Sequence, residues 1–364
     1  MIDDPAKELP RPIGPVISLT DAEREALDEE FGRLGRSLHS LPLDDEGFLT
    51  EAEFAGTRLP GHLLRELRRF RRQGNSAGAL IIRNVPVDPV LPATPLGGRL
   101  ESWGELPVAT VTQLAVTSQI GDVIAYADEK EGALIQEVVP IKGAEKLQEN
   151  SGTVYLELHT ENGFHPHKPD FVTLVCLRPD HARTSYTVVG AAAEMLPALS
   201  GHCVEVLRKP SYRLHASSSF GAGKQGLRTG PVAVLSGPDH SPEFLADFHA
   251  MEPLTDEAMT AFSELKNALL ATIRGARLAA GDLLVIDNRA AVHGRTSFAA
   301  RYDATDRWLR RCFAVSDIRR SRGARPAGSR VCAPLATIGL AAFPGDLPGP
   351  GISDRVEGAA CSNS

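Results

Sequence analysis

Long apolar runs are missing from this chain of 364 residues, and none approaches the roughly 20 that a membrane-spanning helix needs. Clustered cysteine is missing too. The five cysteines, at 176, 203, 312, 332 and 361, are scattered with no CxxC. That pattern suits reduced thiols better than a disulfide framework or a zinc site. Positive charge is in deficit: 39 Lys and Arg against 46 Asp and Glu leave −7. The balance argues against bulk electrostatic binding to nucleic acid, although a local basic groove stays open. The start, MIDDPAKELPRP, has no basic leader or apolar stretch. It does not read as a secretory signal, and a cytoplasmic protein is expected. No internal repeat is found. What is present is ordinary for a folded protein: 42% hydrophobic and 23% charged residues, with enough chain to bury a large core.

Thr20 and Glu23 have the spacing of a capping box and open a helix to about Leu34. A second helix is expected over Leu63–Arg72. Its five arginines (65, 68, 69, 71 and 72) read as a solvated face, with Leu63, Leu64, Leu67 and Phe70 buried. The pattern then changes. ALIIRNV (79–85) reads as a buried strand, and VYLELH, DFVTLVCLR and TSYTVVG follow between 151 and 190. A Pro-, Gly- and Ser-rich region covers about 209–243. A late amphipathic helix follows Thr255, with Ala258, Ala261, Phe262, Leu265, Ala268 and Leu269 at helical spacing. LLVID (283–287), a turn at Asp287-Asn288-Arg289 and a strand from Arg307 to Val315 complete the core. The strands are short and are not spaced as βαβ units. We therefore expect a mainly β fold with flanking helices and a jelly-roll core. The expected organisation is a helical segment at 1–75, the β domain at 76–325 with an insertion at about 195–275, and a partly disordered tail at 326–364.

His159-Thr160-Glu161 carries the first chemical signal. On a strand, Tyr155, Glu157, His159 and Glu161 would share one face. An imidazole and a carboxylate leaving one strand end can take adjacent positions on a metal, although H-x-E alone is a weak motif. The second signal is GDLLVIDNRAAVHGR (281–295), which delivers His293 at a strand end. There Gly294 would leave space for a ligand. In the returning strand, alternation puts Arg307, Leu309, Arg311 and Phe313 on one face. Guanidiniums pointing inward among apolar groups are costly unless they meet anions. In the opposite reading, Trp308, Arg310 and Cys312 face in. Two histidines and one carboxylate leave three positions of a metal open, which suits non-haem Fe(II) with a cosubstrate and dioxygen. His165-Pro-His167 has H-x-H spacing for a second metal. Pro166 breaks its strand geometry, so a loop at the mouth of the site is the favoured reading.

LELHTENGFHPHKPDFVTLVCLRPD, GDLLVIDNRAAVHGR and RYDATDRWLRRCF together resemble the clavaminate synthase-like group of Fe(II)/2-oxoglutarate oxygenases, within the taurine dioxygenase superfamily. The likeness runs from about Ala79 to Val315. It implies a double-stranded β-helix (jelly-roll) core and makes His159, Glu161 and His293 the iron ligands. Glu161 follows this group where most of the superfamily has Asp. The likeness also implies that Arg307, fourteen residues after His293 (307 − 293), binds the far carboxylate of 2-oxoglutarate. Thr187 shares that carboxylate, with Thr184 and Ser185 as competitors. Arg311 matches an arginine that holds the substrate's α-carboxylate, and Glu161 can receive its α-amino group. Leu158 departs from the aromatic residue often found in relatives. Glu149 and Asn150 stand where relatives place small hydroxyl residues near the substrate. Asp247 lies where relatives that act on basic amino acids place acids, and is the candidate for substrate selection.

The resemblance thus implies hydroxylation of a β- or γ-carbon of a free L-amino acid, first lysine or arginine, in natural-product (antibiotic) biosynthesis. Fe(II), 2-oxoglutarate and dioxygen are the implied cofactor and cosubstrates. Alternatives are another amino-acid derivative, free or carrier-bound, with desaturation or cyclisation, or a non-catalytic jelly-roll binding protein. Glu161 argues against a halogenase, which needs the carboxylate position vacant. Acidic charge argues against a nucleic-acid demethylase. A small-molecule substrate is expected, with no nucleic acid and no membrane.

Overall fold

A computed structural model describes residues 10–217, 219–220 and 227–338. In chain order the strands are β1 (Arg11–Pro12), β2 (Val16–Ser18), β3 (Ala79–Arg83), β4 (Asp122–Tyr126), β5 (Ile135–Val138), β6 (Leu156–His159), β7 (Phe171–Arg178), β8 (Thr187–Ala191), β9 (Tyr212–Leu214), β10 (Leu235–Ser236), β11 (Glu243–Phe244), β12 (Met251–Pro253), β13 (Arg274–Ala276), β14 (Leu283–Asp287), β15 (Ala291–Arg295), β16 (Trp308–Val315) and β17 (Val331–Cys332). The helices are α1 (Asp21–Leu38), α2 (Glu46–Gly56), α3 (Gly61–Gln73), α4 (Pro107–Thr117), α5 (Ala192–Met195), α6 (Gly201–Leu207), α7 (Asp256–Thr272) and α8 (Leu335–Ile338).

Two sheets organise the chain. The larger runs β17-β4-β16-β7-β14-β3-β2, with β5 also paired to β16. The smaller runs β1-β13-β8-β15-β6. Alternation along the large sheet sorts its side chains into two cores. Ile81, Val172, Leu174, Leu284, Ile286, Leu309 and Phe313 share a cluster with Leu158, Val188, Val189 and Val292 of the small sheet. Leu80, Ile82, Val175, Leu283, Val285, Trp308 and Cys312 pack with the helical layer instead. A sheet covered on both faces explains why FVTLVCLR and LLVID read as continuous apolar runs.

Two of the N-terminal helices, α1 and α3, form where expected, and α2 lies between them unforeseen. Thr20 accepts from the Glu23 N–H while the Glu23 carboxylate accepts from the Thr20 N–H, a complete capping box that starts α1. In α3, Leu63, Leu67 and Phe70 are buried and the five arginines face solvent. The segment before residue 76 is not purely helical, because β1 pairs with β13 and β2 with β3. Helix α4 was invisible to periodicity. It is buried nearly all round, so it shows no apolar stripe. Gly35 of α1 and Gly56 of α2 let backbones close on it: a Cβ at either would lie 2.7 Å from Pro107 O and 2.4 Å from Ala115 O respectively.

One expectation is corrected, one alternative is set aside and one expectation is refined. The strand carrying His159 ends there, so Glu161 is not a strand residue on the face of Tyr155 and Glu157; a turn containing Asn162 at φ 48° delivers it. Trp308, Arg310 and Cys312 face the helices, and Arg310 is buried there against Glu137 and the Thr110 hydroxyl. Gly294 borders the main cavity as expected, but its lack of a Cβ also serves strand pairing, since a Cβ there would lie 2.5 Å from Leu156 O of the adjacent strand. Of the expected tail, residues 326–338 are described: β17 pairs with β4, and Arg330 bonds Glu46. The rest of the tail, with Cys361, and the first nine residues lie outside the described residues. Cys176, Cys203, Cys312 and Cys332 are buried free thiols. Among the described residues no helix is long and apolar enough to cross a membrane.

Candidate active site

The small sheet brings the two histidines together. β15 and β6 are antiparallel neighbours with His293 opposite His159, and the ring centroids lie 4.5 Å apart. His159 Nδ1 lies 2.9 Å from Glu157 O, so the tautomer protonated there leaves Nε2 with a free lone pair. His293 Nε2 stands 3.4 Å from Glu161 Oε2. One donor atom from each of the three residues lies within 4.8 Å of the others. Two imidazoles and a carboxylate at this spacing suit Fe(II) by donor type.

Asn288, unremarked in the sequence beyond its turn, is wholly buried and grips the Glu161 backbone. Its Oδ1 accepts from Glu161 N–H at 2.8 Å, and its Nδ2 donates to Glu161 O at 3.0 Å and to Pro169 O at 2.8 Å. This links the turn after β14 to the turn after β6. The signal available to a reader was an Asn, rather than any residue, between LLVID and the His293 strand.

Arg311 Nη1 donates to Glu161 Oε2 at 2.9 Å, and Nη2 donates to Glu129 and Gln136. Burial would raise the Glu161 carboxyl, but the Arg311 guanidinium and His293 outweigh it and hold it below its ordinary range. For Arg311 the balance also favours charge: burial lowers it, and Glu129 and Glu161 more than compensate. Burial pushes Glu129 up. The sequence had not marked Glu129, because its run EKEG reads as a surface turn.

His159, Glu161, His293, Arg311 and Glu129 line one cavity of about 730 Å³, which also takes in Thr187, Arg307, Asp247, Glu149 and Asn150. Of the three candidate hydroxyls only Thr187 lines it. Thr184 and Ser185 bond Asp180 through their N–H groups. Arg307 is 7% exposed and makes no ion pair among the described residues; burial pulls it below its ordinary value. Arg295, also at the cavity, is pushed down to about 9 by burial and by Arg307. Asp247 belongs to a segment of the insertion that runs beside β6: Thr160 N–H bonds Ala246 O, Phe248 N–H bonds Leu158 O, and Asp247 bridges His159. Its Oδ1 accepts from the N–H groups of His249 and Ala250. Lys130 shares the cavity, with burial and Arg311 lowering it.

His165 does not join the metal set. It is buried against Tyr126 and Phe220, and its Nδ1 accepts from His167 N–H at 3.0 Å. His181, Asp303 and Asp306 form a second grouping away from the cavity. There Asp306 is taken up by the N–H groups of Arg301 and Tyr302.

Such a cavity, with two histidines, a carboxylate and inward guanidiniums, is that of a non-haem iron oxygenase. Residues 42–313 match the model of the taurine catabolism dioxygenase TauD, TfdA family. The chain is 38% identical over 317 residues to an L-asparagine oxygenase of Streptomyces coelicolor, covering 86% of this chain and 94% of that one. It is 32% identical to an L-lysine 3-hydroxylase of Catenulispora acidiphila, covering 91% and 92%. A crystal structure of asparagine oxygenase in complex with Fe(II), 2S,3S-3-hydroxyasparagine and succinate superposes with a TM-score of 0.81 at 36% identity, covering 87% and 99%. The chain belongs to the TauD/TfdA family, and it is an Fe(II)- and 2-oxoglutarate-dependent dioxygenase of the amino-acid hydroxylase group.

Proposed function

We propose that the enzyme hydroxylates an unactivated β- or γ-carbon of a free L-amino acid whose side chain ends in a nitrogen group, in natural-product biosynthesis. The two packed sheets are read as a double-stranded β-helix, with β6, β8 and β15 carrying the metal end. His159, Glu161 and His293 would hold Fe(II) on three adjacent positions. When bound, that ion and 2-oxoglutarate supply the oxidative decarboxylation that drives insertion of one oxygen atom into a C–H bond. Arg307 and Thr187, both lining the cavity, would hold the far carboxylate of 2-oxoglutarate. Arg311 is the partner for the substrate's α-carboxylate, and Glu161 or Glu129 for its α-amino group.

The observation that carries the reading is the meeting of His159, Glu161 and His293 in one cavity with a buried Arg307 that makes no ion pair among the described residues. Asp247, one bridge from His159, would hold the side-chain terminus near the metal and so place a β- or γ-carbon over it. Lysine and arginine offer a cation to Asp247 and Glu149. Asparagine offers an amide N–H to the same oxygen and Asn150 to pair with, and the 38% identical relative acts under that name. A panel of the common L-amino acids with Fe(II) and 2-oxoglutarate tests the proposal by mass spectrometry. One added oxygen, with matching succinate, is expected on asparagine or on a basic amino acid. Oxidation confined to aliphatic or acidic members overturns the nitrogen requirement, and no iron-dependent succinate with any member leaves a binding protein.

A further inference from the structure

Four arginines are buried among the described residues: Arg295, Arg307, Arg310 and Arg311. Two have acids, Arg310 with Glu137 and Arg311 with Glu161 and Glu129. Arg295 and Arg307, 4% and 7% exposed, have none among the described residues. Arg295 donates one hydrogen bond, to Val154 O at 2.8 Å, and its Nε is buried without a partner. The two guanidinium carbons lie 4.8 Å and 5.6 Å from the centre of the same Phe298 ring, and both side chains line the main cavity. Arg295 stands opposite Thr187 in the β15–β8 register. Taking a charged guanidinium out of water costs several kcal/mol unless an anion meets it, and two like charges beside one ring add repulsion to that cost. An anion entering between them relieves both.

We propose that Arg295 completes a two-guanidinium pocket with Arg307, and that this pair selects a keto acid bearing a second carboxylate. The inference rests on the reading that 2-oxoglutarate lies against Arg307. A single carboxylate has two oxygens and about four acceptor sites, enough for Arg307, Arg295 and the Thr187 hydroxyl together. The keto-acid end is held by the metal whatever the far end is. Arg295 therefore governs discrimination between 2-oxoglutarate and a keto acid of equal length without the far carboxylate.

The test is calorimetric titration of the Fe(II)-loaded protein under argon with 2-oxoglutarate and with 2-oxopentanoate. The wild type, Arg295→Gln, Arg295→Lys and Arg307→Gln are compared. Arg295→Gln is expected to weaken 2-oxoglutarate on the order of tenfold and to leave 2-oxopentanoate unchanged, with Arg295→Lys retaining most of the affinity. Equal weakening of both keto acids, or an unchanged 2-oxoglutarate Kd in Arg295→Gln, overturns the proposal. In the second case Arg307→Gln separates the two failures. If it alone loses 2-oxoglutarate, only the second guanidinium is withdrawn; if it too binds normally, the placement of the cosubstrate falls with it. Should Arg295→Gln not fold, Arg295→Lys decides: affinity retained with the charge supports the pair, and affinity lost as fully as in Arg307→Gln overturns it.

Discussion

Single side chains set the chemistry, and the strongest expectations belong to them. His159→Ala or His293→Ala leaves two of the three proposed donors for the metal, and iron-dependent succinate release is expected to fall to background. Release near the wild-type rate from either variant would remove that histidine from the ligand set. Asn288→Ala leaves Glu161 N–H and two carbonyls unpaired in a dry site, a loss on the order of 2–3 kcal/mol. Iron affinity should fall with it, because the Glu161 backbone is freed; a variant less stable but with wild-type iron affinity would make Asn288 purely structural. His165 supplies a pH signature. Burial, then the His167 charge, push it down to about 3 from 6.5. Between those values the unfolded chain binds a proton that the folded one does not, so its contribution is full above pH 6.5 and is lost as pH falls toward 3. His165→Asn keeps an acceptor for His167 N–H and should flatten the fall in urea-unfolding stability between pH 6.5 and 4; an unchanged slope would clear His165 of the effect.

At the level of strands and helices, close approach matters more than composition. Gly294→Ala would push a methyl group toward Leu156 O and separate β15 from β6, the two strands that set His293 opposite His159. Iron affinity is expected to drop at least about tenfold; wild-type affinity with an intact fold would show that the pairing tolerates the strain. Much at this level could be read beforehand. Capping at Thr20 and Thr255, the stripe of α3 and the apolar runs of β3, β7 and β14 are local properties of neighbouring residues. The failures have physical causes. α4 is buried all round and shows no period, and the HTE triplet looks like strand because alternation cannot see the turn that starts after His159. The strand-pairing role of Gly294 was missed because that constraint comes from a strand more than a hundred residues away in the chain.

Across the whole molecule the proposed metal ligands come from the small sheet and its turns, whereas Arg311 lies on β16 of the large one and Arg307 immediately precedes that strand. Metal and 2-oxoglutarate bound together therefore tie the sheets to each other. At a hundredfold excess over Kd, 2-oxoglutarate should stabilise the metal-loaded protein by about 2.7 kcal/mol. The same concentration should do much less for the metal-free protein, and equal shifts in Tm would refute a shared site. The sequence alone determined the residue types, because two histidines, a carboxylate and inward arginines are written in short motifs whose chemistry does not depend on their surroundings. Only the tertiary structure decided which partners they have: that Asn288 grips Glu161, that Arg311 already meets two acids and that Arg295 meets none among the described residues. Those facts depend on distances between segments far apart in the chain, and only the packing of one sheet on the other sets them.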